Sequence, residues 1–330
     1  MPRWAPIRRL WKPSACRARI VVLMDVAIET TKTLLDEPLE RLIARANQMR
    51  KKVVGDTLDL CSILNARSGR CSEDCKFCAQ SARHHTETPV YPLKDASEIV
   101  AAAARAQAIG AKRFGIVTSG NRLTDDEIDV IAEAITRIGQ EVGIAVCGSL
   151  GALRPAQLQR LKDAGLSRYH HNIETSRRFY AEIVTTHNFQ QRVDTIAAAK
   201  EAGLDVCSGG IIGMGETWQD RIDMATTLAE LEVDSVPINI LIPIEGTALA
   251  TAERLSTEDI VRTICIFRLL LPTQTIRIAA GREAALAEDQ VEAFRAGANG
   301  MLIGGYLTVK GAGLEADRAL AEQIRQAWTV

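Results

Sequence analysis

Three cysteines stand within eight positions of a chain that contains eight cysteines in all. Cys71, Cys75 and Cys78, in the stretch SGRCSEDCKFCAQSARHH, are separated by three and then by two residues. A structural zinc site normally closes with four ligands, and this stretch offers no fourth cysteine. His84 and His85 follow closely, and we assign them to the loop. The spacing therefore favours a 4Fe-4S cluster over zinc, because three cysteines leave one iron open to another ligand.

The sequence around these cysteines alternates short apolar runs with longer segments of helical period, which is typical of βα units. An amphipathic helix, PLERLIARANQMRKKV, comes first, and the last internal helical pattern is LAEDQVEAFRAGA. Eight strands predict a single (β/α)8 barrel of the TIM type, and a doubly wound open sheet is the alternative. The cysteines then lie in the long loop after the first strand, on the face where barrels carry their active sites. The predicted strands cover residues 58–64, 113–119, 144–150, 167–173, 205–213, 235–244, 275–280 and 300–304.

The composition is that of a globular protein with a sizeable core, since 47% of the residues are hydrophobic, 25% are charged and the net charge is −1. The sequence has no dominant basic patch of the kind that would indicate a nucleic-acid partner. It also has no apolar run long enough for a membrane span.

The N-terminal segment, residues 1–26, is basic at its start. We expect a disordered extension or a mis-assigned start there, with a targeting peptide as the alternative. Residues 27–330 then form the barrel domain. Cysteine-rich composition without a secretory signal predicts reduced thiols and a cytoplasmic protein.

The pattern CxxxCxxC, with Phe77 directly before its last cysteine, resembles the signature of the radical S-adenosylmethionine (SAM) superfamily. This resemblance implies that the open iron binds the amino and carboxylate groups of SAM. It also implies that one electron from the cluster cleaves SAM to methionine and a 5′-deoxyadenosyl radical, which abstracts hydrogen from an unactivated carbon. Cys71, Cys75 and Cys78 are then catalytic as well as metal ligands, Phe77 is a cofactor contact, and flavodoxin or ferredoxin is the expected kind of electron donor.

Five segments narrow the resemblance to the biotin synthase family over roughly residues 35 to 325: NARSGRCSEDCKFCAQSAR, HNIETS, VCSGGIIGMGET, SVPINILIPIEGT and IRIAAGRE. The resemblance implies a sulfurtransferase that inserts sulfur into dethiobiotin, consumes two SAM per biotin and takes the sulfur from an auxiliary iron-sulfur cluster. It also implies a homodimer. The alternatives are radical SAM enzymes of hydrogenase or pyrrolysine maturation and, more distantly, a metal-binding protein without catalysis.

The resemblance also implies ligands for the auxiliary cluster. Cys147, Cys207 and Arg277 stand at three of the expected positions, but Gly115 stands where a further cysteine is expected. Cys61 is the candidate replacement, because the alternation of a strand can turn it toward the barrel interior. We therefore expect a variant cluster, either 2Fe-2S or four-iron, with Arg277 as a ligand or as a balancing charge. The alternative for the three cysteines is that they are small buried apolar groups.

Polar residues after the strands match the family's positions for holding SAM. Arg192 is expected near the methionine carboxylate, with a solvated helix charge as the alternative. Asn172 and Glu174 follow the fourth strand, and a carboxylate can accept both ribose hydroxyls. Gly213 and Gly215 allow close approach of a ligand to the backbone, although a glycine-rich turn is also a common connection.

The ureido ring of dethiobiotin is suited to amide side chains, because an amide both donates and accepts hydrogen bonds. Asn172 and Asn239 occupy the matching positions. His170 stands where an asparagine is usual, so we expect it to contact the substrate or to be a satisfied core histidine. Cys265 lies among core positions of a helical pattern, and we expect no function for it.

Overall fold

A computed structural model describes residues 31–305 and 313–329 of the chain. The predicted extension, residues 1–26, lies outside the described residues, and nothing in the structure bears on it. None of the helices within the described ranges is both long and apolar enough to cross a membrane.

Parallel strands close into a barrel, in the order in which the chain supplies them. The last strand pairs with the first, which closes the sheet. Two short strands, β5 and β6, both pair with β7 and are pieces of one barrel strand, so the barrel has the eight strands that the sequence predicts. The strands are β1 (Asp59–Arg67), β2 (Arg113–Thr118), β3 (Ala145–Ser149), β4 (Arg168–His170), β5 (Asp205–Cys207), β6 (Gly210–Ile212), β7 (Ser235–Ile240), β8 (Thr275–Ile278) and β9 (Gly300–Leu302).

The fifth barrel strand is interrupted between β5 and β6 because its backbone touches its neighbours closely. A Cβ atom at Gly209 would lie 2.0 Å from the carbonyl oxygen of Pro237 on β7. A Cβ atom at Gly210 would lie 2.2 Å from the carbonyl oxygen of Glu174. Only glycine fits such close approaches of two backbones. Gly209 and Gly210 therefore allow the segment that follows β4 to pack against the fifth strand.

Helices cover the barrel and follow most of its strands. Several begin with a side-chain cap, as when Asp95 and Thr124 each accept from the amide three residues later. The helical pattern expected over residues 286–298 is interrupted, because Ala287 has a φ of 44° and helices on its two sides cannot join through it. The helices are α1 (Thr31–Asp36), α2 (Leu39–Val53), α3 (Ala96–Ala108), α4 (Asp125–Glu141), α5 (Pro155–Asp163), α6 (Tyr180–Ile183), α7 (Phe189–Glu201), α8 (Trp218–Glu230), α9 (Thr257–Leu270), α10 (Arg282–Leu286), α11 (Gln290–Arg295) and α12 (Leu314–Thr329).

A buried arginine joins α9 to the connections around β8. Arg268 is fully buried, and its guanidinium donates to the carbonyl oxygens of Leu271, Pro272, Gln274 and Gly297 at 2.8 to 3.1 Å. It also donates to the amide oxygen of Asn299. Burial, and then the neighbouring charge of Arg50, lower the pKa of Arg268 to about 9. One side chain thus satisfies several buried backbone acceptors of the segments that close the barrel.

Replacing Arg268 by Met should destabilise the protein by about 3 kcal/mol, because several buried carbonyl oxygens lose their donor at once. Urea denaturation followed by circular dichroism measures the loss. Arg41→Met is the matched control, since the Arg41 side chain is 77% exposed and makes an ion pair with Glu37, four residues earlier. Equal denaturation midpoints for the two variants would contradict the assigned role of Arg268.

Candidate active site

The barrel interior and the loops after its strands enclose a cavity of about 490 Å³. It brings together residues that are far apart in the sequence and that come from the long cysteine loop and from all eight barrel strands or the loops that follow them. Every predicted site residue except Gly213 and Gly215 lines this cavity. The predicted site residues that line the cavity are Cys61, Cys71, Cys75, Phe77, Cys78, Cys147, His170, Asn172, Glu174, Arg192, Cys207, Asn239 and Arg277.

Gly213 and Gly215 lie on the turn after β6, outside the lining of the cavity. The amides of Gly213 and Met214 donate to the Glu216 carboxylate at 2.8 and 2.7 Å. Arg221 pairs with the same carboxylate at 2.8 Å. Both amides are thus engaged within the turn, and contact of the two glycines with a cofactor stays a prediction.

The loop that carries the first three cysteines is folded on itself by backbone hydrogen bonds. The Cys71 amide donates to Gln80, the Ala82 amide donates to Cys71, and the Cys78 amide donates to Cys75, at 2.7 to 3.1 Å. Burial raises the pKa of the Cys75 thiol, and the neighbouring thiols raise it further. Burial likewise raises the pKa of Cys78, to about 11. Thiols with a raised pKa lose their protons when they coordinate a metal cation. Together with Cys71, these two give a donor set that fits iron.

A single-ion site is not formed in this structure. Among residues 31–305 and 313–329, no group of three or more histidine, cysteine, aspartate or glutamate side chains is arranged to hold one metal ion.

A second set of thiols lies on the strands themselves. Cys61 on β1, Cys147 on β3 and Cys207 on β5 are each at most 8% exposed and line the same cavity. Burial, and then the proximity of Cys61, raise the pKa of Cys147 to about 12. The alternation of β1 thus turns Cys61 inward, as expected from the sequence, and gives this set three thiols. Its role as a metal-ligand set stays a prediction.

Gly115 shows how the structure accommodates the missing cysteine. It lies in register between Ile63 on β1 and Cys147 on β3. A Cβ atom at Gly115 would lie 3.0 Å from Cγ2 of Ile63, which is tighter than ordinary contact. Ile63 therefore fills the space that a side chain at position 115 would need. Cys61 lies two residues before Ile63, and so on the same face of β1.

Two buried arginines border the second set of thiols. Arg277 donates through Nη2 to Asp59 at 2.9 Å, so the buried charge is paired as expected. Arg168 lies 3.5 Å from Asp205 through its own Nη2. Among the described residues, Nε of Arg277 and both Nε and Nη1 of Arg168 are buried without an acceptor. Such orphaned donors are costly, and an anionic cluster held by thiolates would satisfy them.

Cys207 differs from the other thiols in its electrostatic environment. Burial alone would raise the pKa of Cys207, but His170, Arg277 and Arg168 outweigh burial and lower it to about 7. His170 is in register with Cys207 on the neighbouring strand. About half of this thiol is therefore ionised near neutral pH, which suits a metal ligand.

The cavity also carries a buried carboxylate beside a guanidinium, Glu174 and Arg192. Glu174 adopts a φ of 67°, in the left-handed region that residues other than glycine rarely occupy. Burial raises the pKa of Glu174, and the charge of Arg192 opposes that shift. Asn172 donates to Glu174 at 3.3 Å and accepts from the Gly209 amide at 3.1 Å. The remaining acceptor capacity of Glu174 suits a pair of hydroxyl groups.

The predicted amide contacts are held in fixed orientations. Asn239 accepts from the Ala280 amide and donates to the carbonyl of Gly210, both at 3.1 Å. Each of its two ends keeps further capacity, since an amide has two donor hydrogens and two lone pairs. Asn239 thus presents one donor and one acceptor toward the cavity in a defined direction.

Several residues that line the cavity were not predicted from the sequence. Thr118 ends β2 and residues 119–121 directly follow it, and the rule that sites gather at strand ends would have found them. Arg168 lies within β4 and carries no motif. Glu73 and His187 line the cavity from two loops whose contact depends on the tertiary fold.

Two family models match successive parts of the chain. Residues 66–228 match the model of the radical SAM superfamily, and residues 237–324 match the Biotin and Thiamin Synthesis associated domain. The biotin synthase of Pelotomaculum thermopropionicum is 47% identical over 92% of this chain and 95% of its own length. That of Thermotoga petrophila is 49% identical over 89% of this chain and 98% of its own length. The chain belongs to the biotin synthase family. Membership implies a 4Fe-4S cluster and SAM as cofactors, and the thiols of the cysteine loop fit that cluster.

Solved structures with the same fold include methylornithine synthase, with a TM-score of 0.75 and 20% identity over 93% of this chain and 95% of the other. The FeFe-hydrogenase maturase HydG from Carboxydothermus hydrogenoformans has a TM-score of 0.76 and 18% identity over 92% of this chain and 77% of the other. Both establish the barrel fold that the sequence predicts.

Alkylation of the iron-free protein should show Cys207 reacting with a midpoint near pH 7, because its pKa is lowered to about 7. Replacing His170 by Ala removes a group that lowers this pKa, so the midpoint should rise toward the ordinary thiol value of about 8.5. Iodoacetamide labelling across pH, read by peptide mass spectrometry, measures both midpoints. Cys147 is the internal control and should stay unreacted at pH 7. A Cys207 midpoint that His170→Ala leaves unchanged would contradict the assignment.

Proposed function

We propose that this protein is a biotin synthase, a radical SAM sulfurtransferase that inserts sulfur into dethiobiotin to form biotin. The observation that carries the proposal is one cavity lined by two separate sets of three cysteines, with Asn172 and Asn239 on the same lining. One set suits the generation of a radical, and the other suits a sulfur-bearing cluster. Similarity to biotin synthases over about nine-tenths of the chain supports the same function.

Maturation of hydrogenase and synthesis of pyrrolysine are less well supported. The two solved structures of those classes described above are 20% and 18% identical to this chain. The sequence also combines Cys147, Cys207, Arg277 and Asn239, a set expected of biotin synthases rather than of those enzymes.

In this proposal Cys71, Cys75 and Cys78 hold the 4Fe-4S cluster. The bound cluster and SAM together supply a 5′-deoxyadenosyl radical, which removes hydrogen from unactivated carbon. Arg192 binds the methionine carboxylate of SAM, because a guanidinium pairs well with a carboxylate. The other groups assigned to SAM are Asn172, Glu174, Phe77, Gly213 and Gly215.

The auxiliary cluster is held by Cys61, Cys147 and Cys207, with Arg277 beside them. Arg277 keeps its charge at all relevant pH values, and burial is offset by Cys61 and Asp59, which raise its pKa. Its pairing with Asp59 favours the role of a balancing cation. The cluster is 2Fe-2S or a four-iron variant, and it is the sulfur source.

Dethiobiotin is placed between the two thiol sets. Asn172 and Asn239 each offer a donor and an acceptor to the ureido ring, and His170 lies next to both the substrate region and Cys207. Because backbone contacts hold both amides, little side-chain entropy is lost when the substrate binds.

Several features of the working enzyme belong to the same proposal. A flavodoxin or ferredoxin supplies the electron, the barrel domain spans residues 27–330, and the enzyme acts as a homodimer in the cytoplasm. All seven cysteines in the described ranges are free thiols, which is in keeping with a reducing compartment.

Anaerobic protein incubated with SAM, dithionite and dethiobiotin should form biotin, measured by mass spectrometry. Asn239→Asp should lower the yield at limiting dethiobiotin, because a carboxylate only accepts hydrogen bonds and cannot donate to the ureido carbonyl. Formation of 5′-deoxyadenosine without biotin would contradict the proposed substrate and leave the radical chemistry intact.

Removal of the Cys61 thiol should abolish the auxiliary cluster. Mössbauer spectra of ⁵⁷Fe-loaded Cys61→Ala should lack the second cluster's signal and keep that of the 4Fe-4S cluster. Cys265→Ala is the matched control, since Cys265 is fully buried in α9 and does not line the cavity. A second signal that survives in Cys61→Ala would eliminate Cys61 as a ligand.

A further inference from the structure

The iron-binding loop is fastened to the segment between α6 and α7. The Asp74 carboxylate accepts from the amides of Thr185 and Thr186 at 2.9 and 3.1 Å, and from both of their hydroxyl groups. The amide of Lys76 donates to the carbonyl of Ile183 at 3.0 Å. The residues between the first two ligand cysteines are therefore held by a loop more than a hundred positions away.

A chain of side chains continues from this contact into the cavity. Glu73 lies 2.7 Å from Nδ1 of His187, and Nε2 of His187 lies 2.9 Å from Nη2 of Arg192. The His187 side chain is only 3% exposed. The cysteine loop and the predicted partner of the SAM carboxylate thus meet at the two nitrogens of one imidazole ring.

The chemistry of the three groups fixes the direction of both hydrogen bonds. A guanidinium has donors only, so Nε2 of His187 must accept from Arg192. The proton of the neutral ring then sits on Nδ1 and is donated to Glu73. Burial, and then the charge of Arg192, lower the pKa of His187, which keeps the ring neutral.

His187 also limits how Arg192 can turn. Nε of Arg192 donates to the Tyr180 hydroxyl at 3.0 Å, and its Nη1 has only a long contact of 3.4 Å, to Nε2 of His171. Two short hydrogen bonds on one side of the guanidinium hold its plane. The long contact at Nη1 leaves a donor available to a ligand in the cavity, near Glu174.

We propose that His187, held by Glu73, is a positioning residue that orients Arg192 toward the carboxylate of SAM and thereby links cofactor binding to the iron-binding loop. The proposal rests on the part of the proposed function that assigns Arg192 to that carboxylate. Nothing in the sequence pattern marks His187, because its two partners come from α7 and from a loop far earlier in the chain.

Two substitutions of His187 separate its two contacts. In His187→Asn the shorter amide keeps the Glu73 contact and cannot reach Arg192. In His187→Gln the amide oxygen reaches the position of Nε2 and accepts from Arg192 again. His85→Asn is the matched control, since His85 is exposed and on the same long loop as the cysteines.

The decisive comparison is between the affinities of each protein for SAM and for decarboxylated SAM. Equilibrium dialysis with the anaerobic, iron-loaded proteins measures both. We expect His187→Asn to weaken SAM about tenfold, a change of about 1.4 kcal/mol, and to change the affinity for decarboxylated SAM less than twofold. His187→Gln should regain most of the SAM affinity, and His85→Asn should match the wild type.

Equal weakening of both ligands in His187→Asn, unchanged SAM binding, or loss of iron from that variant would each overturn the proposal. The first and third results would mean that His187 supports the loop rather than the carboxylate contact. Failure of the wild-type protein to make biotin would instead refute the proposed substrate, and it would leave the comparison between the two ligands intact.

Discussion

In a closed parallel barrel, alternate residues of every strand face the barrel interior. The site depends on the register in which neighbouring strands pair, because the register decides which residues face inward. Cys147 lies opposite Gly115, and His170 lies opposite Cys207, because each strand is paired in a fixed position with the next. A slip of one residue would turn a thiol out of the interior and into the helical layer. The glycines at the break in the fifth strand secure the same register, since no side chain fits between those backbones.

The interior gathers positive charge at the places where the proposed cofactors carry negative charge. Arg277 and Arg168 border the second set of thiols, and Arg192 lies beside Glu174 on the lining of the same cavity. Buried guanidiniums are tolerated only when paired or hydrogen-bonded. Asp59 and Glu174 supply part of that balance, and orphaned donors remain on Arg168 and Arg277. The two groups of arginines are thus suited to two different anionic groups, a thiolate-held cluster and the carboxylate of SAM.

The strands, their order and the cysteine loop could be predicted from the sequence, because apolar period and ligand spacing are local properties of the chain. Strand alternation also predicted that Cys61 turns inward. The compensation at Gly115 could not be predicted, since it depends on Ile63 of a neighbouring strand filling the space. Arg168 and His187 were missed for a similar reason. Their roles come from partners that only the tertiary fold brings near, and no local pattern encodes such contacts.

The proposed chemistry requires one barrel cavity to hold two iron-sulfur clusters on two separate sets of three cysteines. Anaerobic crystals of the iron-loaded protein, measured at the iron absorption edge, test it directly. We expect two groups of anomalous peaks, one against Cys71, Cys75 and Cys78 and the other against Cys61, Cys147 and Cys207. Iron at the first set alone, in crystals of protein that makes biotin, would contradict it.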